Sequence, residues 1–515
     1  MSVNSLRQAN EAILSPMAVL YVAGAWVVYR ILMILYNISP FHPLYRFPGP
    51  RMAAATYAYE AYYDWILVGQ YSNKIRKMHE KHGPIVRINP DELHCSDPHF
   101  ANEIYAGSGR VRDRWQHQLN VGTTGPVSES VLSTVSHELH RLRKNAISRF
   151  FSRQQMFKLE DEVREFAEMV VNKMLRCAGK EPFNVTEAYN CFAADVMSQY
   201  AFGEPLGYVA QEGWEPNFAT WTRPFIRSSY MLRHNAWARK LANVLPLFSD
   251  YLGEDVKTVM HLMNVTIPKY IQAALDNPVN GRVFAELRAC KTLPESEKTM
   301  YRLSGEGALF LFAGTETTTA ILTLLTYYLL AQPQTYAKLM EDLQGMDPEH
   351  LKWTELEKRP YLWAVIHESL RMMPGIAHRS ARVARDEDLV YKSGDGQTEW
   401  VIPRGTAIGM TSMINHWNTE LFPNPDEFIP ERWLVDGKPN YSLQRMLISF
   451  GKGSRSCIGE NLAYCEIYLM TALMAFRVLP RARLHETTIE NLRYDHDLVV
   501  PQSKKGAIAV HIAIS

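Results

Sequence analysis

The chain has 515 residues, with 55 Lys+Arg against 54 Asp+Glu and a formal net charge of +1 at pH 7. A hydrophobic fraction of 47% and a charged fraction of 21% are ordinary for a globular protein, which excludes a disordered chain, a collagen and an all-membrane bundle. The near-zero net charge argues against nucleic acid as the main partner. The six cysteines are scattered without a CxxC pair, so they indicate neither a disulfide scaffold nor a zinc ribbon, and they favour a reducing compartment.

An apolar segment near the N-terminus predicts a transmembrane anchor. Residues 12–36 carry a single charge, Arg30, and exceed the roughly 20 residues that a spanning helix needs. The alternative is a cleaved signal peptide, since residues 23–25 (AGA) are similar to a cleavage site. Glu11 and the length of the apolar run weigh against it. Residues 1–11 would then form a short tail, and the arginines after the span favour a cytosolic body.

A proline-rich stretch follows the anchor. Residues 37–50 contain four prolines, which predicts a stiff hinge that lifts a soluble domain off the bilayer. Residues 51–515 contain no repeat, no low-complexity tract and no second linker. We therefore predict that they form one catalytic domain.

Apolar periodicity predicts that this domain is mainly α with a small β part. Residues 85–95 are typical of two short strands around a turn. Pro333 suits the first turn of a helix. Helices are predicted at 136–151, 158–176, 303–331, 334–344 and 360–373, and short strands near 389–403 and 495–513.

Several familiar motifs fail on spacing. His79 and His82, like His137 and His140, are three residues apart, whereas the zinc motif HExxH places its histidines four apart. No GxxxxGK[ST] string is present, and Gly451-Lys452-Gly453 is not completed by a glycine at 456. No internal nucleotide site is predicted, so any reducing equivalents must come from elsewhere.

The most informative string is FGKGSRSCIG at residues 450–459, which an apolar helix from Glu460 follows. A thiolate at a helix N-terminus is stabilised by the helix dipole, so Cys457 could bind a metal. Phe450 could pack beside the sulfur and limit its contact with water. The alternative is that Cys457 is a small buried core residue, as most lone cysteines are.

The other fixed positions of this loop suit a flat cofactor that carries carboxylates. Gly453 and Gly459 lack a Cβ and would let the backbone approach such a cofactor, while Arg455 supplies a cation. With Phe450 and Cys457 they complete the pattern FxxGxRxCxG. The loop therefore resembles the haem-binding loop of the cytochrome P-450 superfamily, the haem-thiolate monooxygenases. The resemblance covers roughly residues 45–515 and implies that fold, with haem b held by the Cys457 thiolate.

Residues 313–317 (AGTET) lie midway along the predicted helix 303–331 and are similar to the oxygen-activating segment of the family. The resemblance implies that Ala313 and Gly314 lie over the haem and that Glu316 and Thr317 are the catalytic acid–alcohol pair, which relays protons. The string alone is weak, because residues 486–488 repeat ETT. The alternative is a Thr-rich buried helix.

Two further strings follow the order that the family uses. Glu368 and Arg371 are three residues apart on one helix face and can pair, although residues 490–493 match the same ExxR pattern. Arg432 follows in a Pro-Glu-Arg-Trp string. By resemblance, Glu368, Arg371 and Arg432 form a structural triad beneath the haem loop.

The resemblance also implies cations for the two haem carboxylates. By position these are His140, Lys144, Arg382 and Arg455, with Lys144 standing where the family more often has an arginine. The alternative is that Arg141 and its neighbours form a solvated basic face, which could also dock an acidic electron donor.

The implied activity is insertion of one oxygen atom from O2, with electrons from NADPH through a separate reductase and cytochrome b5 as a second donor. The anchor implies the endoplasmic reticulum membrane with a cytosolic catalytic domain. Strings at 83–94, 140–152 and 375–383 are similar to filamentous-fungal enzymes of the trichodiene-oxygenase type. They imply tailoring of a lipophilic terpenoid, meroterpenoid or polyketide. By family alignment, the aromatic and apolar residues expected to line the pocket are Trp115, Phe218, Trp221, Phe225, Met231, Phe310 and Phe312.

Two other functions remain open from the sequence. A haem-thiolate isomerase or dehydratase would keep Cys457 and act without O2, but such enzymes usually lack an acid–alcohol pair like Glu316 and Thr317. A non-catalytic haem-binding or lipid-binding membrane protein would need no electrons. Turnover that depends on NADPH and a reductase separates both from a monooxygenase.

Overall fold

The computed structural model describes residues 16–107, 109–121, 125–244 and 253–515. The predicted tail 1–11 and the first residues of the predicted anchor lie outside this part of the chain. The helices are α1 Pro16–Ile38, α2 Arg51–Ala55, α3 Ala58–Ala61, α4 Tyr71–His82, α5 Ala101–Ile104, α6 Gln116–Leu119, α7 His137–Ser148, α8 Arg153–Leu175, α9 Val185–Phe202, α10 Phe218–His234, α11 Ala236–Val244, α12 Glu254–His261, α13 Ile267–Asp276, α14 Val283–Ala289, α15 Met300–Ala331, α16 Pro333–Asp342, α17 Trp353–Leu356, α18 Pro360–Met372, α19 Ser412–Asn415, α20 Tyr441–Gln444 and α21 Glu460–Leu473.

The strands are few and short, which confirms a mainly helical fold with a small β part. They are β1 Ile85–Asn89, β2 Glu92–Cys95, β3 Asp113–Arg114, β4 Phe183–Asn184, β5 Ser380–Val383, β6 Leu389–Lys392, β7 Glu399–Ile402, β8 Ala407–Met410, β9 Leu434–Val435, β10 Lys438–Pro439, β11 Ala482–Leu484, β12 Tyr494–Leu498, β13 Val500–Ser503 and β14 His511–Ile514. The strands predicted at 85–95, 389–403 and 495–513 are all present.

The predicted helices are present, with ends set by capping residues. Helix α7 begins after Ser136, whose Oγ accepts the Leu139 N–H, and α8 begins earlier than predicted because Ser152 caps it in the same way. Thr299 caps the long helix α15. Pro333 lies in the first turn of α16, as predicted.

Helix α1 is the exposed apolar helix that the anchor prediction requires. Its mean hydropathy is 2.0 and none of its 18-residue window is buried. Two further helices are long and apolar enough to cross a membrane, but 67% of the window in Met300–Ala331 and 78% of that in Glu460–Arg481 are buried inside the domain. Among the described residues, α1 is therefore the span candidate that lacks protein neighbours to cover it.

The proline-rich stretch after α1 differs from a free hinge. Residues 39–50 form turns rather than helix or strand, yet Leu44 and Phe47 are buried in an apolar cluster with β1 and β2. The Arg87 N–H donates to the Pro48 carbonyl oxygen (2.8 Å), and Asn37 Nδ2 donates to the Ala55 carbonyl oxygen (3.0 Å). The stretch therefore packs against the domain, because burial of its apolar side chains is favourable.

Two features of the fold position the candidate site. Helix α15 runs through the main apolar core and packs against α9, α13 and α21. A five-stranded sheet in the order β1-β2-β8-β5-β3 lies in the smaller β part, with β3 antiparallel to β5. The cysteine loop precedes α21 and contacts both regions.

Candidate functional site

The cysteine loop ends at helix α21, whose N-cap is Gly459. The Cys457 N–H donates to the Phe450 carbonyl oxygen (2.7 Å), which closes the loop. Burial raises the pKa of the Cys457 thiol to about 11, although the Gly459 N–H and Lys144 act in the opposite direction. The helix terminus alone therefore does not produce the predicted thiolate. A metal cation on the sulfur would, because a coordinating thiol loses its proton.

The two glycines of the loop have different surroundings. Gly453 has φ +69°, and a Cβ there would lie 1.8 Å from the Tyr105 carbonyl oxygen. Its missing side chain is thus needed for packing against residues 105–106 and not only, as the sequence suggested, for approach to a cofactor. A Cβ on Gly459 would have no heavy atom within 4 Å. This side of the loop is open.

Two residues of the predicted haem site are exposed although they lie inside a packed domain. The Cys457 side chain is exposed although burial dominates its pKa. Ala313 is exposed midway along α15, while Leu311 and Thr315 on the same helix are buried. Because protein interiors contain few voids larger than water, exposed atoms at these positions border an internal space. Both surfaces between which the resemblance places a haem are therefore open.

Five basic side chains lie close to one another near Cys457: the charges of four of them act on the fifth, His140, and Lys144 acts on Cys457. None of them forms an ion pair with any described residue, and the acids nearest Arg455, Asp113 and Glu138, pair with Arg385 instead. The Nε of Arg114 is buried without a hydrogen-bond partner in the described part of the chain. Burial and then the other cations lower the pKa of His140 to about 2. The group comprises Arg114, His140, Lys144, Arg382 and Arg455, and two carboxylates would complete it.

Strand pairing shows the same excess of positive charge. Arg114 on β3 is directly opposite Arg382 on β5. Like charges at such positions destabilise a sheet unless an anion lies between them. Burial, with the charges of Arg382 and Arg455, holds the pKa of Arg114 well below its usual range. The residues present therefore fit the two propionates of a haem.

Arg114 was missed by the sequence analysis. It stands in no motif, and its signal exists only in the register of β3 on β5, which brings it to Arg382. Two of the predicted cations also donate hydrogen bonds to backbone carbonyl oxygens. Lys144 Nζ donates to the carbonyl oxygens of Ser454 (2.9 Å) and Ser456 (3.0 Å), and so braces the cysteine loop. Arg455 donates to the carbonyl oxygens of residues 112, 134 and 135.

The neighbours of Lys144 on α7 do not share one environment. Arg143 is buried and pairs with Glu297 (2.7 Å), so it does not belong to a solvated basic face. Arg141 is exposed. Only Arg141 of these two is available to an electron donor.

The predicted acid–alcohol pair has two different surroundings on α15. Thr317 Oγ1 donates to the Ala313 carbonyl oxygen (2.8 Å), one turn earlier. The Glu316 carboxyl accepts a hydrogen bond from Thr222 on α10 (2.6 Å), and burial raises its pKa. Gly314 faces α9, where a Cβ would lie 3.0 Å from the Met197 sulfur. Ala313 is thus the small residue that faces the open space.

Glu368, Arg371 and Arg432 lie together, with Glu368 and Arg371 fully buried and Arg432 partly buried. The neighbouring Leu370 accepts a hydrogen bond from Ser449, just before the cysteine loop. The Glu368 carboxylate accepts hydrogen bonds from Arg371 Nε (2.9 Å) and Nη2 (2.8 Å) and from Arg432 Nε (3.1 Å). The Ile429 N–H (3.0 Å) and Trp433 Nε1 (2.8 Å) donate to the same carboxylate. The competing ExxR string, Glu490 and Arg493, is an exposed pair.

A buried ionic cluster lies outside any predicted motif. Arg379 Nη2 donates to Asp64 Oδ2 (2.8 Å) and to Glu60, and the cluster reaches His234 at the end of α10. Glu60, His117 and His234 place three possible metal-ligand atoms within 4.8 Å of one another. Because the Arg379 guanidinium already occupies both carboxylates, a metal ion there would meet positive charge. The sequence missed this cluster because its members come from four distant segments.

The aromatic residues expected in the pocket divide into two groups. Phe310 packs in the core against Phe151 and Phe284, and the half-buried Trp221 donates from Nε1 to the Tyr208 hydroxyl (2.9 Å). Trp115 has a buried Nε1 without a described partner. Phe218 packs edge-on against Phe312, and Met231 is half-buried. The side chain of Phe225 lies outside the described residues.

Comparison with known proteins identifies the family. The cytochrome P-450 family profile matches residues 63–507. Cytochrome P-450 monooxygenase ppzE of Metarhizium majus is 39% identical over 446 residues, which cover 82% of this chain and 92% of that protein. Cytochrome P-450 monooxygenase tpcC of Cochliobolus heterostrophus is 34% identical (92% and 93% covered), and tryptophan 6-hydroxylase fscE of Fusarium equiseti is 35% identical (92% of each). The chain belongs to the cytochrome P-450 family of haem-thiolate monooxygenases.

Proposed function

We propose that this chain inserts one oxygen atom from O2 into a lipophilic fungal secondary metabolite, with Cys457 as the haem ligand and Glu316 and Thr317 as the proton-delivering pair. The observation that carries the proposal is that Cys457 and Ala313 are both exposed within a packed domain, and that basic side chains without a described ion pair lie near Cys457. The relatives are fungal monooxygenases of secondary metabolism, which supports the class of substrate.

The residues that would hold the haem follow from charge and exposure. Cys457 would bind the iron, and Arg114, His140 and Arg382 would bind the propionates, with Arg455 and Lys144 fixing the loop around them. When bound, a haem with a thiolate ligand supplies the activation of O2. The Phe450 carbonyl holds the Cys457 N–H, and Phe450 packs against Tyr464. These contacts fix the loop, and with a haem bound they would help to limit the contact of water with the sulfur.

Two residues of α15, Glu316 and Thr317, would deliver the protons. Burial raises the pKa of Glu316, so its carboxyl keeps a proton to a higher pH than an exposed glutamate would, and the Thr222 hydroxyl holds that carboxyl on the α10 side of the helix. Thr317 lies next along the helix, with its hydroxyl on the Ala313 carbonyl. A group that both accepts and donates a hydrogen bond suits the last step of a proton relay.

The proposal places the enzyme, its electron donors and its substrate in the same membrane. NADPH electrons would arrive through an NADPH–cytochrome reductase, with cytochrome b5 as a second donor, in the endoplasmic reticulum membrane. Helix α1 supports the anchor. Apolar side chains are exposed at residues 65–68 and, on α11, at Trp237 and Leu241. The two groups are close in the fold, because Asp64 contacts His234, which lies just before α11. They support a domain that rests on the bilayer, from which a terpenoid, meroterpenoid or polyketide could enter.

The experiment uses the full chain in membranes with a fungal reductase. Lipophilic candidates are first screened for a substrate-induced shift of the Soret band, and those that bind are incubated with NADPH under oxygen-18 gas. A product with one labelled oxygen, absent without NADPH or reductase, supports the proposal. Product formed without O2 would instead favour the isomerase or dehydratase, and binding without any turnover would favour a binding protein.

A further inference from the structure

Gly375, in the loop that follows α18, lies directly against Thr317. It has φ +75°, and a Cβ placed on it would lie 3.1 Å from Thr317 Cγ2 and 3.2 Å from Thr317 Cβ. The three nearest heavy atoms all belong to Thr317. The bare Cα of Gly375 therefore makes the room that the Thr317 methyl group occupies.

This loop cannot easily retreat from α15. The Met373 N–H donates to the Ser369 carbonyl oxygen (2.7 Å), and the Ile376 carbonyl oxygen accepts from Ser412 Oγ (2.7 Å). The Ala377 N–H donates to the Val499 carbonyl oxygen (2.9 Å). Val499 has φ +72°, a conformation that is an outlier for a β-branched residue and persists only where its surroundings impose it.

The contact selects one conformation of Thr317. A β-branched side chain has one Cβ carrying both a methyl and a hydroxyl, so the position of one fixes the other. With the methyl against Gly375, Oγ1 reaches the Ala313 carbonyl oxygen at 2.8 Å. A side chain at residue 375 would push on the methyl, and rotation of Thr317 to relieve that push would break this hydrogen bond.

We propose that Gly375 is a positioning residue for Thr317, which holds the threonine hydroxyl in the conformation used for proton delivery. This inference rests on the proposed role of Thr317. It adds a requirement at a glycine that lies outside the cysteine loop, the segment 313–317 and the triad, and it assigns the strain at Val499 to holding that glycine in place.

The test is a double-mutant cycle in the full-length holoenzyme with reductase. Gly375→Ala adds the clashing methyl, and Thr317→Ser removes the methyl it would strike while keeping the hydroxyl. Gly405→Ala is the matched control, because Gly405 has φ +82° and a Cβ added there would meet no heavy atom within 4 Å. It reports the backbone strain of alanine at a positive φ without a neighbour.

Hydrogen peroxide released per NADPH consumed is the first readout. Gly375→Ala should raise it roughly fivefold, the factor that loss of one neutral hydrogen bond gives. Thr317→Ser, whose hydroxyl is no longer held by a methyl, should raise it roughly twofold on the same reasoning. The double variant should fall short of the product of the two single effects, because Thr317→Ser removes Cγ2 but leaves Cβ, the second atom that the added methyl would meet.

The melting temperature is a second readout that needs no turnover. Gly375→Ala should lower it by about 2 °C more than Gly405→Ala does, and adding Thr317→Ser should recover part of that difference. Peroxide release from Gly375→Ala equal to that from Gly405→Ala, or effects that simply multiply, would overturn the inference. If Gly375→Ala does not retain haem, Thr317→Ser alone decides, and unchanged peroxide release would refute the inference.

Thr317→Ala separates this inference from the function on which it rests. If Thr317→Ala leaves peroxide release unchanged, the proposed role of Thr317 itself is wrong. If Thr317→Ala raises peroxide release and Gly375→Ala does not, only the role of Gly375 is wrong.

Discussion

Replacing Glu368 by glutamine should prevent stable haem incorporation. The carboxylate is fully buried and accepts five hydrogen bonds, three of them from Arg371 and Arg432. Glutamine has nearly the same shape but no charge, and its NH2 group would face donors. Removing one partner of a buried ion pair costs about 3–5 kcal/mol, a large part of the roughly 5–15 kcal/mol that stabilises a typical domain.

Glu490→Gln is the matched control. It has the same ExxR spacing, but its ion pair with Arg493 (3.1 Å) is on the surface, where both side chains are about half exposed. Such pairs contribute about 0–1 kcal/mol. For each variant, the assay measures the haem content per protein and the urea midpoint of unfolding. Equal midpoints and haem contents for the two variants would refute the assignment of Glu368 to a structural triad.

Three further predictions concern haem binding, pH and the anchor. Arg382→Ala should weaken haem retention by about tenfold or more in a competition with apomyoglobin, because a charge-assisted hydrogen bond is lost; Arg385→Ala, an exposed residue paired with Glu138 (2.6 Å), should not. Burial raises the pKa of Glu466 to about 8, so the folded state binds a proton that the unfolded state releases, and wild-type stability should fall by about 3–5 kcal/mol between pH 4.5 and 8 relative to Glu466→Gln; parallel pH profiles of the two melting temperatures would contradict this. Deletion of residues 1–36 should move part of the protein from the membrane to the soluble fraction with its haem retained, the remainder being held by the exposed apolar residues 65–68, Trp237 and Leu241, whereas loss of haem would show that α1 is needed for folding.

The sequence predicts helices with a periodic apolar face more readily than helices buried on all sides. Helices α15 and α18 were predicted from periodicity, and their observed ends differ by a few residues because capping residues such as Thr299 set them. Helix α9 was not predicted. Every residue of α9 except Gln199 is buried, so its sequence shows no contrast between two faces.

The residues of the site also differ in whether the sequence alone reveals them. Loop residues such as Cys457 are contiguous in sequence and could be recognised from a fixed spacing. Arg114 could not, because it joins the other cations only through the register of β3 on β5. Gly375 likewise meets Thr317 only in the folded chain. The ionic cluster of Arg379, Glu60, Asp64 and His234 also forms only in the folded chain, because its members come from distant segments.

The central claim is that Cys457 binds haem iron as a thiolate in this chain, and one absorption spectrum tests it most directly. Wild-type protein and Cys457→Ala are reduced with dithionite and treated with CO. A strongly red-shifted Soret band in the wild type alone is the predicted result. A Soret band at the position typical of histidine ligation, or correctly folded protein without haem, would contradict the claim.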